Sequence, residues 1–389
     1  MIPYARQDIN QADINAVIEV LRSDYITQGA MVPLFEKAVT DYCGAQHAVA
    51  VSSASAALHI ACLALDLGPG DWLWTSPNTF VASSNCALHC GAQVDFVDID
   101  PLTYNMSVER LTEKLFLAEQ ENKLPKIVIP VHMTGQSCDM AAIYALSLKY
   151  GFKIIEDAAH AIGGKYHDEP VGNCKYSDIT VFSFHPVKII TTGEGGMALT
   201  NNADLSIRMK RFSSHGITST PENMLQRPKE EIWNYQQIDL GFHYRMTDIH
   251  AALGLSQMKR LNEFVTKRHV IANRYDELFT NLPITTPYQH PDNYSSFHLY
   301  VIRLKLNEIN TSQQKLFKAL YAANIRANLH YIPVYRQPYY EQLGFKAGYC
   351  PEAEKFYTGA ISLPIFPKLE LNQLEFIVDV LEKNCINIR

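Results

Sequence analysis

The sequence predicts an α/β protein with a mostly parallel central sheet, helices on both faces, and a smaller C-terminal α+β domain. Over the first 200 residues, short segments rich in β-branched residues alternate with helical patterns, which is typical of a parallel sheet covered by helices. Beyond residue 200 the alternation gives way to longer helical segments. The 389 residues, of which 47% are apolar, suffice for a large buried core.

Two helices are predicted before the first strand. Apolar residues at helical spacing, from Ile14 to Leu21, predict a helix over 11–22. A second helix is predicted over 33–43, with Pro33 at its start. Six strand candidates follow, separated in part by helical patterns such as 138–150; they cover 47–52, 71–76, 93–100, 126–133, 152–158 and 178–184.

Helical patterns dominate the chain after residue 200. The segment LSIRMKRF predicts a helix, and a polar stretch with proline over 216–236 separates it from a long helical pattern over 247–280. That long helix would join the sheet to an α+β unit near 285–389. We therefore predict two domains: a large α/β domain with an N-terminal arm over 1–250, and a linking helix with a small α+β domain over 251–389.

The composition excludes several classes of protein. The chain carries 34 Lys and Arg against 40 Asp and Glu, a formal charge of −6, and no basic run, which argues against nucleic acid as a partner. It has no apolar stretch of about 18 residues, so no membrane span is predicted. The N-terminus lacks the apolar core of a secretion signal, and the eight scattered cysteines form no CxxC pair. We therefore expect reduced core thiols, no metal site and a cytoplasmic location.

Four of the predicted strand ends carry residues suited to bind a ligand or react with it. In open α/β sheets, ligands bind outside the carboxyl ends of the strands. In SSASAALH, Ser53, Ala54 and Ser55 follow a strand and open a helix, where backbone N–H groups and the helix dipole favour a phosphate. The same small residues would also suit a packing turn, and the segment lacks the glycine and lysine of a P-loop.

Phe80 and Asp157 follow two further strands. The Phe80 ring could stack on a flat heteroaromatic ligand, although an ordinary core phenylalanine would fit the same position. Asp157 ends a strand in KIIEDAAH, where a carboxylate can pair with a protonated ring nitrogen or cap a helix. Ala159, two residues later, is small enough for a ring to lie against the chain.

Lys188 stands between Val187 and Ile189, just before a glycine-rich turn. Burial among apolar residues favours the neutral amine that Schiff-base chemistry requires, whereas an exposed lysine would only lay its stem along the surface. A phosphate cup, a stacking ring, an acid for a pyridine nitrogen and a reactive lysine are the groups that pyridoxal 5'-phosphate requires. Because all four fall in one α/β domain, we predict this cofactor.

The segment from Gly193 to Ala198 also matches GxGxxA, the dinucleotide-binding fingerprint. In that fingerprint the glycines open a helix, but here a short strand candidate, MALTNN, follows them. The sequence thus predicts a glycine hairpin that turns the lysine segment back, and no dinucleotide site.

The segments EDAAHAIGG, FSFHPVKIITTGEGGMALTNN and GFHYRMTDIHAALGLSQ resemble the sugar-nucleotide aminotransferases of the DegT/DnrJ/EryC1/StrS family. The resemblance runs from about residue 2 to residue 370. It implies fold type I of the pyridoxal-phosphate enzymes, a homodimer with shared active sites, and a cofactor that passes through its amine form, pyridoxamine phosphate (PMP), during turnover. Lysine at 188 favours transamination, since related dehydratases place histidine there.

The resemblance also implies a role for each matching residue. Lys188 would be the catalytic residue that binds the cofactor and moves protons, and His160 would lie near the ring hydroxyl. Many relatives have asparagine where this chain has His243, and Gly-Thr where it has Ala54-Ser55. The other cofactor contacts that the resemblance implies are Ala54, Ser55, Phe80, Asp157, Ala159 and Ser183, with His243 on the phosphate of the partner subunit's cofactor. The substrate contacts would be Tyr4, Thr27, His330 and Tyr331.

Further segments, among them DYITQG and NLHYIPVYRQPYYEQLGF, are similar to family members of pseudaminic acid biosynthesis. Those members aminate C4 of a UDP-linked 4-keto-6-deoxy-N-acetylhexosamine with L-glutamate as donor. Two alternatives stay open. The substrate could be another keto sugar nucleotide, linked to dTDP, GDP or UDP, or the chain could be a non-catalytic binding or regulatory protein on this fold. Lys188 and Asp157 argue against the second alternative.

Overall fold

The computed structural model describes residues 1–226 and 231–385. Within these ranges the helices are α1 (Gln11–Leu21), α2 (Met31–Cys43), α3 (Ala54–Ala64), α4 (Ala82–His89), α5 (Val108–Gln120), α6 (Met140–Tyr150), α7 (Ala203–Ser213), α8 (Asp248–Met258), α9 (Leu261–Phe279), α10 (Gln313–Ala322), α11 (Pro338–Gln342), α12 (Pro351–Gly359) and α13 (Leu371–Cys385). The strands are β1 (His47–Val51), β2 (Trp72–Thr75), β3 (Gln93–Phe96), β4 (Ile127–Ile129), β5 (Lys153–Asp157), β6 (Lys165–Tyr166), β7 (Glu169–Pro170), β8 (Ile179–Ser183), β9 (Gly196–Thr200), β10 (Ile217–Thr218), β11 (Gln236–Gln237), β12 (Ile284–Thr285), β13 (Asn293–Tyr294), β14 (Tyr300–Leu304) and β15 (Ala360–Leu363).

The central sheet has seven strands in the order β1-β9-β8-β5-β4-β2-β3. The pairs from β8 to β3 are all parallel, which confirms the predicted mostly parallel sheet. The strand β9 runs antiparallel to both of its neighbours, β1 and β8. The glycine-rich segment before β9 therefore turns the chain back into the sheet, as predicted, and a strand follows it where a dinucleotide site would need a helix.

Helices cover both faces of the sheet, because successive strand residues point to opposite faces and are apolar on each. On β1, Val49 belongs to a core that includes Leu58 of α3. Its neighbour Ala48 belongs to the opposite core, which includes Phe35 of α2. A further core packs β4 and β5 against α5 and α6. These cores leave the carboxyl ends of the strands free to form a site.

A second, smaller sheet has the order β12-β14-β15 and carries its own core with α9, α10 and α13. Ile2 packs into this core and pairs with Ile325, so the N-terminal arm reaches the C-terminal unit. The helix α8, by contrast, packs against α1 and α2. The division of the chain at residue 250 stays a prediction.

The structure divides the helix predicted over 247–280 into α8 and α9, with the break at Lys259 and Arg260. The Arg260 guanidinium donates to Asp8 Oδ1 at 3.2 Å and to Asp13 Oδ2 at 2.7 Å. These two ion pairs with the N-terminal segment hold the turn between the helices. Because neither proline nor glycine marks the break, the sequence pattern reads as continuous.

All six predicted strands exist, and each is shorter than its apolar pattern. The largest differences are at 93–100, where β3 ends at Phe96, and at 126–133, where β4 ends at Ile129. In the first case the N–H of Val97 still bonds Thr75 of β2, but beyond it the backbone pairs elsewhere. Ile99 pairs with Met106, and Ser107 N donates to the carbonyl of Asp98 at 3.0 Å.

None of the helices in the described parts of the chain combines the length and the apolar character needed to cross a membrane. Seven of the eight cysteines are buried, and Cys90 is half-buried; none is paired in a disulfide. This burial agrees with the expectation of core thiols.

Candidate active site

A cavity of about 530 Å³ lies where β1, β5 and β8 end. Most of the predicted site residues line it, although they come from six separate parts of the chain. They are Tyr4, Ala54, Ser55, Phe80, Asp157, Ala159, His160, Ser183, Lys188, His330 and Tyr331. The structure therefore brings together the lysine, the acid, the aromatic ring and the small-residue turn that the sequence singled out.

The turn before α3 forms a cup for an anion. Ser53 caps the helix, since its Oγ accepts a hydrogen bond from Ala56 N at 3.1 Å. The N–H groups of Ala54 and Ser55, in the first turn, have no carbonyl four residues earlier in the helix to bond. These N–H groups, the hydroxyl of Ser55 and that of Ser183 meet at one cavity. A phosphate group fits such a set of donors.

A glycine on β9 makes this cup sterically feasible. A Cβ atom at Gly196 would overlap the backbone of Ser53 and Ala54. Only glycine lets β9 pass that close to the start of α3. Among the described residues that line the cavity, Lys188 is the only lysine or arginine, so backbone N–H groups and hydroxyls must bind a phosphate here.

Asp157 is buried at the end of β5, and both of its carboxylate oxygens are hydrogen-bonded. Its Oδ1 accepts from Ala159 N at 3.1 Å. Its Oδ2 accepts from Ser83 Oγ at 2.6 Å. The chain continues from Asp157 into a turn and not into a helix, so this carboxylate is not the helix cap that the sequence left open.

Lys188 lies in the segment between β8 and β9, and its side chain lines the cavity. Burial lowers the pKa of its amine to about 8, although the negative charge of Asp157 opposes the shift. A substantial fraction of the amine is therefore neutral near pH 8, which agrees with the direction that the apolar neighbours predicted. A neutral amine can attack an aldehyde.

Three histidines that line the cavity are neutral. Burial lowers the pKa of His160 far below its ordinary value, and the positive charge of Lys188 adds to the shift. His298, whose ring centre lies 4.4 Å from that of His160, shifts in the same direction for the same reasons. Burial and Lys188 lower the pKa of His330 to about 3. The amine thus stands among neutral rings.

One of these histidines presents an unpartnered nitrogen. The Tyr331 hydroxyl lies 3.3 Å from His160 Nε2, and burial keeps this phenol protonated by raising its pKa. The other ring nitrogen, His160 Nδ1, is buried and has no hydrogen-bond partner among the described residues. Such an orphan nitrogen suits a hydrogen-bonding group on a ligand in the cavity, such as a hydroxyl, which can donate or accept.

These observations fit pyridoxal phosphate. The cup would hold its phosphate, Asp157 would face its ring nitrogen, and His160 Nδ1 would reach its ring hydroxyl. Phe80 lines the cavity yet is 59% exposed, so a bound ring would cover apolar surface that is otherwise open to water.

Two predicted site residues lie outside this cavity. Thr27 pairs with Thr247, on the backbone beside α8. His243 pairs with Ser214 and stacks on His215, with ring centres 5.2 Å apart. Both would therefore need a second copy of the chain to make the contacts predicted for them.

Some residues that shape the site were not among the predicted ones. Thr79 and Ser83 bond toward Asp157, and His298 packs on His160. No local pattern marks the first two, because Thr79 lies before α4 and the Ser83 hydroxyl matters only through Asp157, which lies on β5. No local pattern marks His298, since its neighbour His160 lies far away in the sequence.

Comparison with known proteins agrees with these features. A model of the DegT/DnrJ/EryC1/StrS aminotransferase family matches residues 7–382. The chain is 37% identical over 382 residues to the UDP-4-amino-4,6-dideoxy-N-acetyl-beta-L-altrosamine transaminase of Campylobacter jejuni, which covers 98% of this chain and 96% of that one.

Two solved structures are similar over nearly their whole length. PseC of Helicobacter pylori, an aminotransferase of pseudaminic acid biosynthesis, superposes with a TM-score of 0.89 at 31% identity and covers 99% of both chains. Spr1654 of Streptococcus pneumoniae, solved in its PMP form, gives a TM-score of 0.89 at 29% identity and also covers 99% of both.

Proposed function

The chain belongs to the DegT/DnrJ/EryC1/StrS aminotransferase family and is a pyridoxal-phosphate-dependent sugar aminotransferase, and we propose that its acceptor is a UDP-linked 4-keto-6-deoxy-N-acetylhexosamine. The amino group of L-glutamate would pass to C4 of that sugar, as in pseudaminic acid biosynthesis. The observation that carries the proposal is one cavity that holds Lys188, Asp157 and the anion cup together.

The cofactor, when bound, stores electrons in its ring and carries the amino group between the two substrates. The protein supplies the base and the surroundings. Lys188 has a buried amine with a pKa of about 8, so its Nζ can accept a proton near neutral pH and later return it. The neutral imidazoles of His160, His298 and His330 add no second positive charge beside it.

Asp157 is the anion that faces the cavity beside Lys188, and its two hydrogen bonds hold the carboxylate in one orientation. A carboxylate in that place favours a protonated ring nitrogen, because opposite charges within a few ångströms stabilise each other. We assign Asp157 this role, Lys188 the proton transfers, and Ala54, Ser55 and Ser183 the phosphate.

The remaining wall of the cavity suits a sugar. Tyr4, His330 and Tyr331 line it, and the Tyr4 ring lies 5.4 Å from that of His330. His330 is neutral and binds Ser362 Oγ through Nδ1 at 2.8 Å. Neutral rings with hydrogen-bonding edges match sugar hydroxyls better than charged groups would. We propose that these three residues contact the acceptor.

We further propose a homodimer in which each site is completed by the other copy. Ile232, Trp233 and Leu240 are 92%, 75% and 80% exposed, and they belong to the same part of the chain as His243. Large apolar side chains that one segment leaves open to water are typical of an interaction surface. A second copy that covers them would bring the segment of His243 against its partner.

The acceptor is tested with purified full-length protein, pyridoxal phosphate, L-glutamate and a panel of keto sugar nucleotides. The panel contains the UDP-linked 4-keto-6-deoxy-N-acetylhexosamine and 4-keto-6-deoxyhexoses linked to dTDP and to GDP. We expect amino sugar, identified by mass spectrometry, to form fastest from the UDP-linked N-acetyl substrate, and none to form with Lys188→Ala.

The panel also separates the alternatives. Faster amination of a dTDP- or GDP-linked sugar would contradict the proposed acceptor and retain the reaction type. No amination of any keto sugar by protein that binds the cofactor would support a binding or regulatory role instead.

A further inference from the structure

We propose that Thr79 and Ser83 form a chain of two hydroxyls that orients the Asp157 carboxylate toward the ring nitrogen of the cofactor. Both are positioning residues, since they act through Asp157. The inference rests on the proposed function, because it requires that Asp157 pair with that nitrogen.

The hydroxyl chain, which we define as Thr79 Oγ1 and Ser83 Oγ, is short and buried. Ser83 Oγ lies 2.6 Å from Asp157 Oδ2, and Thr79 Oγ1 lies 2.7 Å from Ser83 Oγ. All three side chains are almost shielded from water. Hydrogen bonds in such surroundings are stronger than in water, and those to an ionised group are among the strongest.

The direction of the chain follows from counting protons. A hydroxyl has one proton to donate, and an ionised carboxylate can only accept. Ser83 also lies 3.3 Å from the carbonyl of Phe80, but the charged oxygen at 2.6 Å is nearer and the stronger acceptor. Ser83 therefore donates to Asp157, and its own oxygen accepts the proton of Thr79. The chain runs from Thr79 through Ser83 to the carboxylate.

Two bonds on different oxygens fix the plane of the carboxylate. Ser83 holds Oδ2, while the backbone N–H of Ala159 holds Oδ1 at 3.1 Å. Each carboxylate oxygen has about two sites for hydrogen bonds, so each keeps a free site for a ligand. Without Ser83, one bond would remain, and the group could rotate about it. The hydrogen bond from Ser83 is thus the contact that leaves the Asp157 carboxylate a single orientation.

The hydrogen bond between Ser83 and Asp157 also links the carboxylate to the ring of Phe80. Ser83 N donates to the carbonyl of Phe80 at 3.2 Å, so both residues belong to one tight turn at the start of α4. Because Ser83 is bonded to Asp157, this turn cannot shift without breaking that bond. The distance between the ring of Phe80 and the carboxylate is therefore set by the hydroxyl chain as well as by the sheet.

The test compares variants of the full-length protein. In Ser83→Ala we expect the affinity for pyridoxal phosphate to fall by about 10- to 100-fold, the range for losing a hydrogen bond to a charged group. We also expect the pH midpoint of the visible absorption band of the loaded enzyme to shift. Ser83→Thr keeps the hydroxyl and should restore most of the affinity, and Thr79→Val should give a smaller loss.

Ser84→Ala is the matched control. Ser84 is also a buried serine of α4, but its hydroxyl lies 2.6 Å from the hydroxyl of Tyr340 and does not touch Asp157. We expect this variant to lose thermal stability to a similar extent as Ser83→Ala, with cofactor affinity and band position unchanged. Asp157→Asn tests whether cofactor binding depends on the Asp157 carboxylate itself.

The outcomes separate this inference from the proposed function. If Asp157→Asn weakens cofactor binding and Ser83→Ala behaves like Ser84→Ala, the hydroxyl chain has no positioning role and the inference is overturned alone. If Asp157→Asn binds the cofactor with wild-type affinity, the proposed role of Asp157 fails and the inference fails with it. A loss in Ser83→Ala that Ser83→Thr reverses supports it.

Discussion

Lys188 is the residue to which we assign the proton transfers, and its protonation state is set by what surrounds it. Burial lowers the pKa of its amine to about 8, and Asp157 limits the shift by favouring the charged form. The neighbouring imidazoles stay neutral, so they neither donate a proton to the amine nor take one from it. Lys188 thus brings a basic group that titrates near the physiological range into the cavity.

This pKa predicts how covalent capture of pyridoxal phosphate depends on pH. Only the neutral amine attacks the aldehyde, so the rate should rise about tenfold per pH unit below pH 8 and level off above it. For a lysine with an ordinary pKa, the rate would continue to rise until about pH 10.4. The measurement is the absorbance change after mixing cofactor-free protein with cofactor at a series of pH values.

Lys188→Ala is the control for that experiment and should show no covalent capture. A rate that still rises steeply between pH 9 and 10 would show that the amine of Lys188 is not depressed, and would contradict the assignment.

Among single residues, the sequence alone identified those whose neighbours along the chain are unusual. Lys188 stands between apolar neighbours, and Asp157 closes a β-branched run, so both were identifiable. Ser83 was not, because a serine in a helix has no distinctive pattern, and its importance comes from Asp157, which lies on another element. His298 was missed for the same physical reason.

Among the elements, β9 has the tightest steric requirement. It passes so close to the start of α3 that a Cβ atom at Gly196 would overlap backbone atoms of Ser53 and Ala54. Backbone atoms cannot move aside as a flexible side chain can. The position of the anion cup therefore depends on a residue of the neighbouring strand.

Gly196→Ala should displace the cup. We expect cofactor affinity to fall by about tenfold or more, with a loss of about 1–3 kcal/mol in the free energy of unfolding, the usual cost of overpacking. Calorimetric titration and denaturant unfolding measure the two quantities. Gly68→Ala is the matched control, because a Cβ atom there meets no other atom within 4 Å. Equal cofactor affinity and equal unfolding free energy of the two variants would contradict the steric argument.

The elements were predicted well wherever local pattern decides them. All six predicted strands of the sheet and the glycine turn before β9 are present, since β-branched runs and glycines act locally. The break between α8 and α9 was not predictable, because it depends on Arg260 reaching Asp8 and Asp13 in a distant part of the chain. The early end of β3 was not predictable either, since Ile99 pairs with Met106 outside the sheet although the alternating pattern continues.

For the whole molecule, the acidic composition argues against nucleic acid as a partner. The net charge of −6 is compatible with binding phosphorylated ligands, because the cup offers N–H groups and hydroxyls, and Lys188 is the one lysine among the described residues that line the cavity. The sequence alone does not predict how two copies of the chain would contact each other. Thr27 and His243 are not among the residues that line the cavity of their own chain, and in the proposed dimer the second copy would use them.

A mixed dimer tests whether the sites are shared. One subunit carries Lys188→Ala and the other His243→Ala, with different affinity tags so that only the mixed form is purified. If each site combines residues of both copies, one site of the mixed dimer is intact, and we expect about half of the wild-type activity.

If His243 instead serves its own chain, both sites of the mixed dimer are damaged, and its activity should not exceed that of the His243→Ala homodimer. A chain that stays monomeric in light scattering would contradict the dimer itself.

The reversed strand β9 has a consequence for how the protein is made. It lies between β1 and β8, so residues 196–200 supply the one strand that pairs with β1 within the described sheet. On the ribosome, the first strand and the turn after it must wait until about 200 residues have emerged before the sheet can close over them. The anion cup is thus encoded near the start of the chain but completed late, and a growing chain that stops before β9 would expose an unpaired strand prone to aggregation.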